Sequence, residues 1–318
     1  MNTSIRWTSL VLALILAFSA WAQDEDQNSG GASQEQAVES TETDEPTEAG
    51  AEPTADPSPQ VDPATAPTQP ADGAETFVVQ GHPIFPPQTA ELVYRPLVDY
   101  LNAALPYRFD LELSPDYHRY WLSTRRGENP HIVLEEPHLV AYRMREYDFT
   151  PLVQSQTPIT YSLLTSQNNA EASVRDFIGQ RVSTMPAPSL GYLVLTSWFD
   201  NPMQQPIIQS NAGSWLDAVE IVFSQEAEAA IVPNNLVSRY RNMANVLTSQ
   251  EFPGVTVAAS PEVSADIQEE IKAALLSLHE DEEHFAALNE LDINQFVEAD
   301  VTAYEGLESW LRLIYTFL

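Results

Sequence analysis

Strand patterns and helical patterns take turns along the chain from Phe77 onward, and this alternation restricts the fold more than any other feature. Phe77-Val78-Val79-Gln80 reads as a strand, broken by Gly81 and by Pro83, Pro86 and Pro87. The helix that follows carries Val93, Leu97, Leu101, Ala104 and Leu105 on one face, the 3.6-residue period of an element buried on one side. Phe109-Asp110-Leu111-Glu112-Leu113 alternates strictly, the mark of a strand with one buried face. An amphipathic stretch over 117–124 leads to a short strand at Ile132-Val133-Leu134. A β-α-β-α-β order predicts a mostly parallel sheet covered by helices.

The second half repeats the theme. Strands are expected at 159–165, 181–184, 207–208, 229–232 and 255–258, and helices at 174–178, 191–199 and 215–223. A further helix from Ser264 turns Ile267, Ile271, Ala274, Leu275 and Leu278 inward. Thr302-Ala303-Tyr304-Glu305 fits a capping box and predicts a last helix with Leu307, Leu311, Ile314 and Leu318 on one side. These are too many βα units for one small sheet, so two lobes with a cleft between them are expected.

Before this core stand two segments of another kind. Residues 1–22 have Arg6 in a short leading region, an apolar run over 10–18, and Ala20-Trp21-Ala22 before Gln23. That is the layout of a cleavable secretory signal, and the apolar run is well short of the ~20 residues a membrane helix needs. Residues 23–75 hold 14 acidic residues, seven prolines from Pro46 to Pro70, and no aromatic, lysine or arginine. Such a leader buries too little apolar surface to offset its ordering entropy and is expected to be disordered and extended. The chain has no cysteine, which excludes disulfides and a lipid-modified N-terminal cysteine. The core at 76–318 is long enough to be held by an ordinary hydrophobic interior.

Charge narrows the partners. The sequence has 46 acidic and 14 basic residues, for a net charge of −32, and Lys272 is its one lysine. Such a field repels nucleic acid and anionic lipid, and it favours a monomer.

Taken in order, the core's motifs resemble the periplasmic solute-binding proteins of phosphate, phosphite and phosphonate uptake systems. The resemblance is carried by the opening strand with Pro86-Pro87-Gln88, the helix around Arg95-Pro96-Leu97-Val98-Asp99-Tyr100-Leu101, and Asp116-Tyr117. Pro137, Thr160-Tyr161-Ser162, the segment 174–182, and then Phe296, Tyr304 and Leu311 continue it. It implies a two-lobed type II binding-protein fold, an α/β architecture in which each lobe is a mostly parallel sheet flanked by helices. Lobe 1 would comprise about 76–164 and 250–318, and lobe 2 about 165–249. It also implies capture of a small solute, an oxyanion of the phosphate or phosphonate class, for an ABC-type permease. The chain would then be a periplasmic protein with no enzymatic activity and no cofactor. The same fold without a transport role, as a membrane-linked sensor or partner module, is the alternative that the long leader favours.

In such α/β proteins ligands sit at strand C-terminal ends, near helix N-termini that offer free N–H groups. Three helix entrances are candidates here: 86–89, 188–191 and 212–215. By the resemblance, Tyr117 and Tyr161 fall where aromatic hydroxyls meet the ligand, and Ser189 falls in the serine turn that wraps an oxyanion. Two positions depart from the family. Ser214-Trp215 stands where a histidine donor is common, and Asn234-Asn235 where an acidic residue receives an amino group. The candidate ligand-binding residues are therefore Tyr117, Tyr161, Ser189, Ser214, Trp215 and Asn235. Glu135 and Glu136 would repel an anion if they faced the cleft, and are expected to be solvated or paired.

Two other chemistries are weighed on the residues. Ala187-Pro188-Ser189-Leu190-Gly191 imitates a nucleophile elbow, but the first glycine is missing and no triad partners are evident. His279 with Glu283, Glu280 with His284, and the group His131, Glu135, Glu136 and His138 have spacings open to metal binding. At such spacing His/Glu pairs are ordinarily solvated charges, so no metal is expected.

Overall fold

The computed structural model describes residues 74–199 and 201–315. The signal segment and all but the last residues of the leader lie outside the described residues.

The first lobe opens as the period predicts. Strand β1 (Thr76–Gly81) is followed by α1 (Pro87–Ala104), β2 (Arg108–Leu113), α2 (Tyr117–Arg125), β3 (Ile132–Glu135), α3 (Pro137–Tyr147) and β4 (Thr150–Ser155). The chain then crosses to the second lobe and builds β5 (Tyr161–Ser166), β6 (Arg181–Ser183), α4 (Leu190–Ser197), β7 (Ile207–Gln209), α5 (Trp215–Phe223), β8 (Ala229–Pro233), α6 (Asn234–Val237) and β9 (Met243–Thr248). It returns to complete the first with β10 (Thr256–Ala259), α7 (Ala265–Ser277), α8 (Ala286–Glu290) and β11 (Phe296–Glu298).

The first sheet has the order β11-β4-β10-β3-β1-β2 and the second β7-β6-β8-β5-β9. β1 pairs parallel with β2 and β3, while β10 runs antiparallel to both β3 and β4 and β11 antiparallel to β4. In the second sheet only β5 opposes the rest, lying antiparallel between β8 and β9. Of these nine pairings four are parallel, all within the βα units, and five are antiparallel, so each sheet is mixed and not mostly parallel; the reversed strands come from the segments that follow each crossing.

The two crossings touch each other. Ile159 and Phe252 exchange backbone hydrogen bonds at 3.0 and 2.9 Å, and Asn234 fastens the first crossing through Nδ2 to the Pro158 carbonyl at 3.1 Å. Gly254 lies so close to Ser155 that a Cβ there would collide with its backbone, so the second crossing needs a residue without one.

One hydrophobic core belongs to the first lobe, with Phe77, Leu97, Leu101, Phe109, Val257, Ile271 and Leu275 at its centre. A second core does not stop at the lobe boundary. It joins Tyr117, Trp121 and Leu139 of the first lobe to Leu163, Val182, Leu193 and Ile231 of the second. On that side the lobes are sealed by apolar contact, which disfavours separation in proportion to the area it would expose.

The last helix differs from its expectation. Residues Val301–Tyr304 and Leu307–Leu313 form two 3-10 segments. They are separated by Gly306 at φ +80°, a left-handed conformation that ends a helix and suits glycine. The capping box at Thr302 does not form. Asp300 takes the capping role by accepting from the Thr302 N–H at 3.0 Å. Leu311 is fully buried all the same, Leu307 and Ile314 are partly buried, and Leu318 lies outside the described residues. Trp310 packs edge-on to Phe252 and Tyr315 stacks on Trp121, so the tail lies across α3 and α4, one from each lobe.

Candidate ligand cleft

The cleft is organised around the end of β3, whose residues are all buried. Pro137, with its fixed φ, is pre-set for the first position of α3. It leaves the two preceding glutamates inside the protein, and they have different partners.

Glu135 belongs to the first lobe. Its carboxylate receives Arg143 Nε at 2.8 Å and the Tyr120 hydroxyl. The guanidinium goes on to Asn129 Oδ1 at 2.6 Å and Thr124 Oγ1 at 3.0 Å, and both charged side chains are fully buried. Burial pushes the Glu135 carboxyl up, against the lowering effect of the Arg143 charge and the hydrogen bonds.

Glu136 reaches across to the second lobe. One oxygen accepts from the Tyr161 hydroxyl. The other accepts from the Tyr117 hydroxyl at 3.0 Å and from the Leu190 N–H at 3.0 Å. Leu190 is the first residue of α4, so its N–H is one of the donors a helix leaves without an internal partner. Burial raises the Glu136 carboxyl, opposed by these three donors. The pairing expected for both glutamates is found; neither is solvated.

Next to Glu136 in α3, His138 is fully buried and donates from Nε2 to the Pro188 carbonyl at 2.8 Å. Burial lowers its imidazole to about 3. His82, at the end of β1, donates from Nδ1 to the Leu134 carbonyl at 2.9 Å and is lowered by burial to about 4.

In front of Glu136 lies a cavity of about 230 Å³. The first lobe contributes His82, Phe85, Tyr94 and Ile293 to its wall; the second contributes Tyr161, Ser214, Trp215, Asn234 and Asn235. Its surface is mainly apolar. At the mouth Asp292 accepts from Asn235 Nδ2 at 2.9 Å and from Arg239 Nη2 at 3.3 Å, two exposed contacts that join the lobes at the rim.

The six candidate residues divide accordingly. Tyr161, Ser214, Trp215 and Asn235 border the cavity. Ser214 also caps α5, accepting from the Asp217 N–H at 3.1 Å. The Trp215 ring lies 5.3 Å from that of Tyr161. Tyr117 and Ser189 do not border the cavity. Tyr117 stands behind Glu136, and Ser189 is spent on α4, accepting from the Tyr192 N–H at 3.4 Å and donating to the Met185 carbonyl at 3.4 Å. No histidine is among the partners of Ser189. Of the three helix entrances, the one at α4 gives its N–H to Glu136, and the one at α1 begins Pro86-Pro87 and lacks two N–H groups. Sequence reasoning missed Glu136 as a member of the site, and His82, Phe85 and Tyr94 as its walls. The run of adjoining glutamates was the one signal present.

Among the described residues, no group of three or more His, Asp or Glu is arranged to hold a metal ion. Glu135 and Glu136 are turned to other partners, and His131 accepts from the Val78 N–H at 3.0 Å.

Two lobes around a cleft, joined by two crossings, define a binding protein of the type II periplasmic class. The chain belongs to the family of periplasmic substrate-binding proteins of phosphonate ABC transporters, whose model matches residues 80–304. That family consists of binding proteins and not of enzymes. Solved structures agree on the fold. PhnD1 from Prochlorococcus marinus, in complex with methylphosphonate, is 14% identical with a TM-score of 0.63, over 75% of this chain and 97% of that one. A Pseudomonas aeruginosa binding-protein component of an ABC phosphonate transporter is 13% identical with a TM-score of 0.63, over 75% and 87%. A Xanthomonas citri protein bound to ATP is 15% identical with a TM-score of 0.61, over 75% and 98%. None of the curated proteins matches the sequence. No helix among the described residues is long and apolar enough to cross a membrane.

Proposed function

We propose that this chain captures a small organic solute in the cavity between its lobes and presents it to an ABC-type permease. It would work as a monomer in the periplasm, after loss of residues 1–22. The observation that carries this reading is the cavity of about 230 Å³, walled by both lobes. A solute held there touches both lobes at once, so its binding favours the closed arrangement. Phe85, Tyr94 and Trp215 offer an apolar body a surface, while Ser214 and the Asn234-Asn235 pair supply polar contacts. The alternative, a sensor of the same fold, is favoured by the proline-rich leader at 23–75.

A thermal-shift screen of the exported protein tests the reading. The panel should span phosphonates, phosphate, phosphite, sulfonates, amino acids, and neutral and cationic organic solutes. A bound compound at 100 times its dissociation constant stabilises by ~2.7 kcal/mol, a shift of a few degrees in a domain of this size. A flat response to every class would end the proposal. N-terminal sequencing distinguishes a free protein starting at Gln23 from a tethered one.

A further inference from the structure

We propose that Glu136 is a built-in substitute for the ligand's acidic head group, so that free oxyanions find the anion position of this cleft already filled. The donor set around it is one that receives an oxyanion. Two tyrosine hydroxyls, one from each lobe, and the first N–H of α4 converge on a single pair of oxygens. Hydroxyl donors beside a helix N-terminus favour negative charge for two reasons, the directed hydrogen bonds and the helix dipole. An ionised carboxylate is a pure acceptor and suits three donors, and the backbone N–H cannot reverse its role.

At that position there is no room for a second anion. Tyr117, Tyr161 and Glu136 are all buried, and each hydroxyl has a single proton, already donated to Glu136, so neither can also donate to a solute anion. The nearest buried cation does not help, because Arg143 is committed to Glu135. Arg239, the one cationic side chain in the cavity wall, is held at the mouth by Asp292. An oxyanion entering the cavity would therefore meet the Glu136 carboxylate with no opposing charge to neutralise it. Resting on the capture of a solute proposed above, it follows that the solute accepted beside Glu136 lacks an acidic group, and is neutral or cationic.

The same contact also spans the cleft. Glu136 leaves the first lobe and is held by Tyr161 and Leu190 of the second, which is the task a bound ligand performs in a two-lobed receptor.

The test is chemical rescue on the mature chain. Wild type, Glu136→Ala and Glu136→Gln are titrated with acetate, methylphosphonate and inorganic phosphate, with chloride matching the ionic strength. Wild type should give no saturable heat and only the small, unsaturating midpoint shift that excluded salts produce. Glu136→Ala leaves three donors without an acceptor and should melt lower; acetate or methylphosphonate should raise its midpoint saturably, and adding Tyr161→Phe should weaken that rescue. Glu136→Gln still fills the position and should gain nothing. If Glu136→Ala does not fold, dilution from urea should recover it only with the anion present, and Glu136→Ser offers a milder opening of the same position. Saturable binding of methylphosphonate or phosphate by wild type, lost in Tyr161→Phe, would overturn the proposal. So would indifference of the alanine and serine variants to every anion. A solute hit on wild type together with failed rescue would sink this inference and leave solute capture standing. Rescue with no solute hit would do the reverse.

Discussion

His138, the second residue of α3, donates from Nε2 to the Pro188 carbonyl at 2.8 Å, so the first lobe grips the turn that opens α4 of the second. Its Nδ1 is buried without a partner. A proton added there would be stranded away from water, which is why burial lowers the imidazole to about 3. The folded value lies below the unfolded one of 6.5, so the stabilising contribution is complete above pH 6.5 and is lost as pH falls toward 3.

The same sign holds for His82, lowered to about 4. Glu135 and Glu136 work the other way: raised by burial, they favour the fold more as pH falls. Comparison of variants separates the two effects. Urea unfolding of wild type and His138→Gln at pH 7, 6 and 5 should show wild type losing more on acidification, by about 1.4 kcal/mol per pH unit below 6.5. Parallel curves would show that His138 does not titrate as its surroundings dictate.

The Glu135–Arg143 pair predicts an asymmetry. Removing one member of a fully buried pair leaves the other charge without compensation and costs about 3–5 kcal/mol. Arg143→Ala should lower the unfolding free energy measured in urea by that amount, whereas Arg143→Met with Glu135→Leu should lower it far less. A double variant as unstable as the single one would mean that packing, and not charge, sets the loss.

Gly191 marks where α4 meets the cavity wall. A Cβ at this position would stand 2.5 Å from the Trp215 ring and 3.0 Å from Tyr161. Gly191→Ala should therefore destabilise by about 1–3 kcal/mol through overpacking. Adding Trp215→Leu should recover part of it. No effect of the single change on the urea midpoint would mean that the indole has room to withdraw.

How far the sequence foretold this arrangement depends on how local each signal was. The entrances read at 188–191 and 212–215 do open α4 and α5, where Ser189 and Ser214 act as caps, because a cap is settled within three residues of itself. The α1 face was legible for the same reason: Val93, Leu97 and Leu101 repeat one period and are all buried. Strand β4 escaped notice because Thr150-Pro151 reads as a break, although proline is tolerated at the start of a strand. The tail misled because a good capping box at Thr302 was followed by Gly306, whose left-handed turn divides the segment. Glu136 was illegible in principle. Its three partners stand 19, 25 and 54 residues away, and only the tertiary fold, across both lobes, brings them together.

The tail supplies a further prediction. Leu311 is fully buried in the core shared by both lobes. Leu311→Ala should cost about 2–5 kcal/mol. Because the lost contact bridges α3 and α4, hydrogen exchange should rise in both lobes at once and not in the tail alone. Exchange confined to residues after Gly306 would show the tail to be a passive covering.

A receptor in the periplasm meets inorganic phosphate, sulfate and carboxylates, all of which compete for any cradle of hydroxyls and helix N–H groups. By supplying that cradle with Glu136, which cannot diffuse away, the proposed arrangement would remove the competition. The affinity such a cradle would give a free anion is used within the fold, at every concentration of competitor. On the proposal made above, discrimination among solutes would rest on shape and apolar fit beside Trp215, where abundant inorganic ions have nothing to offer.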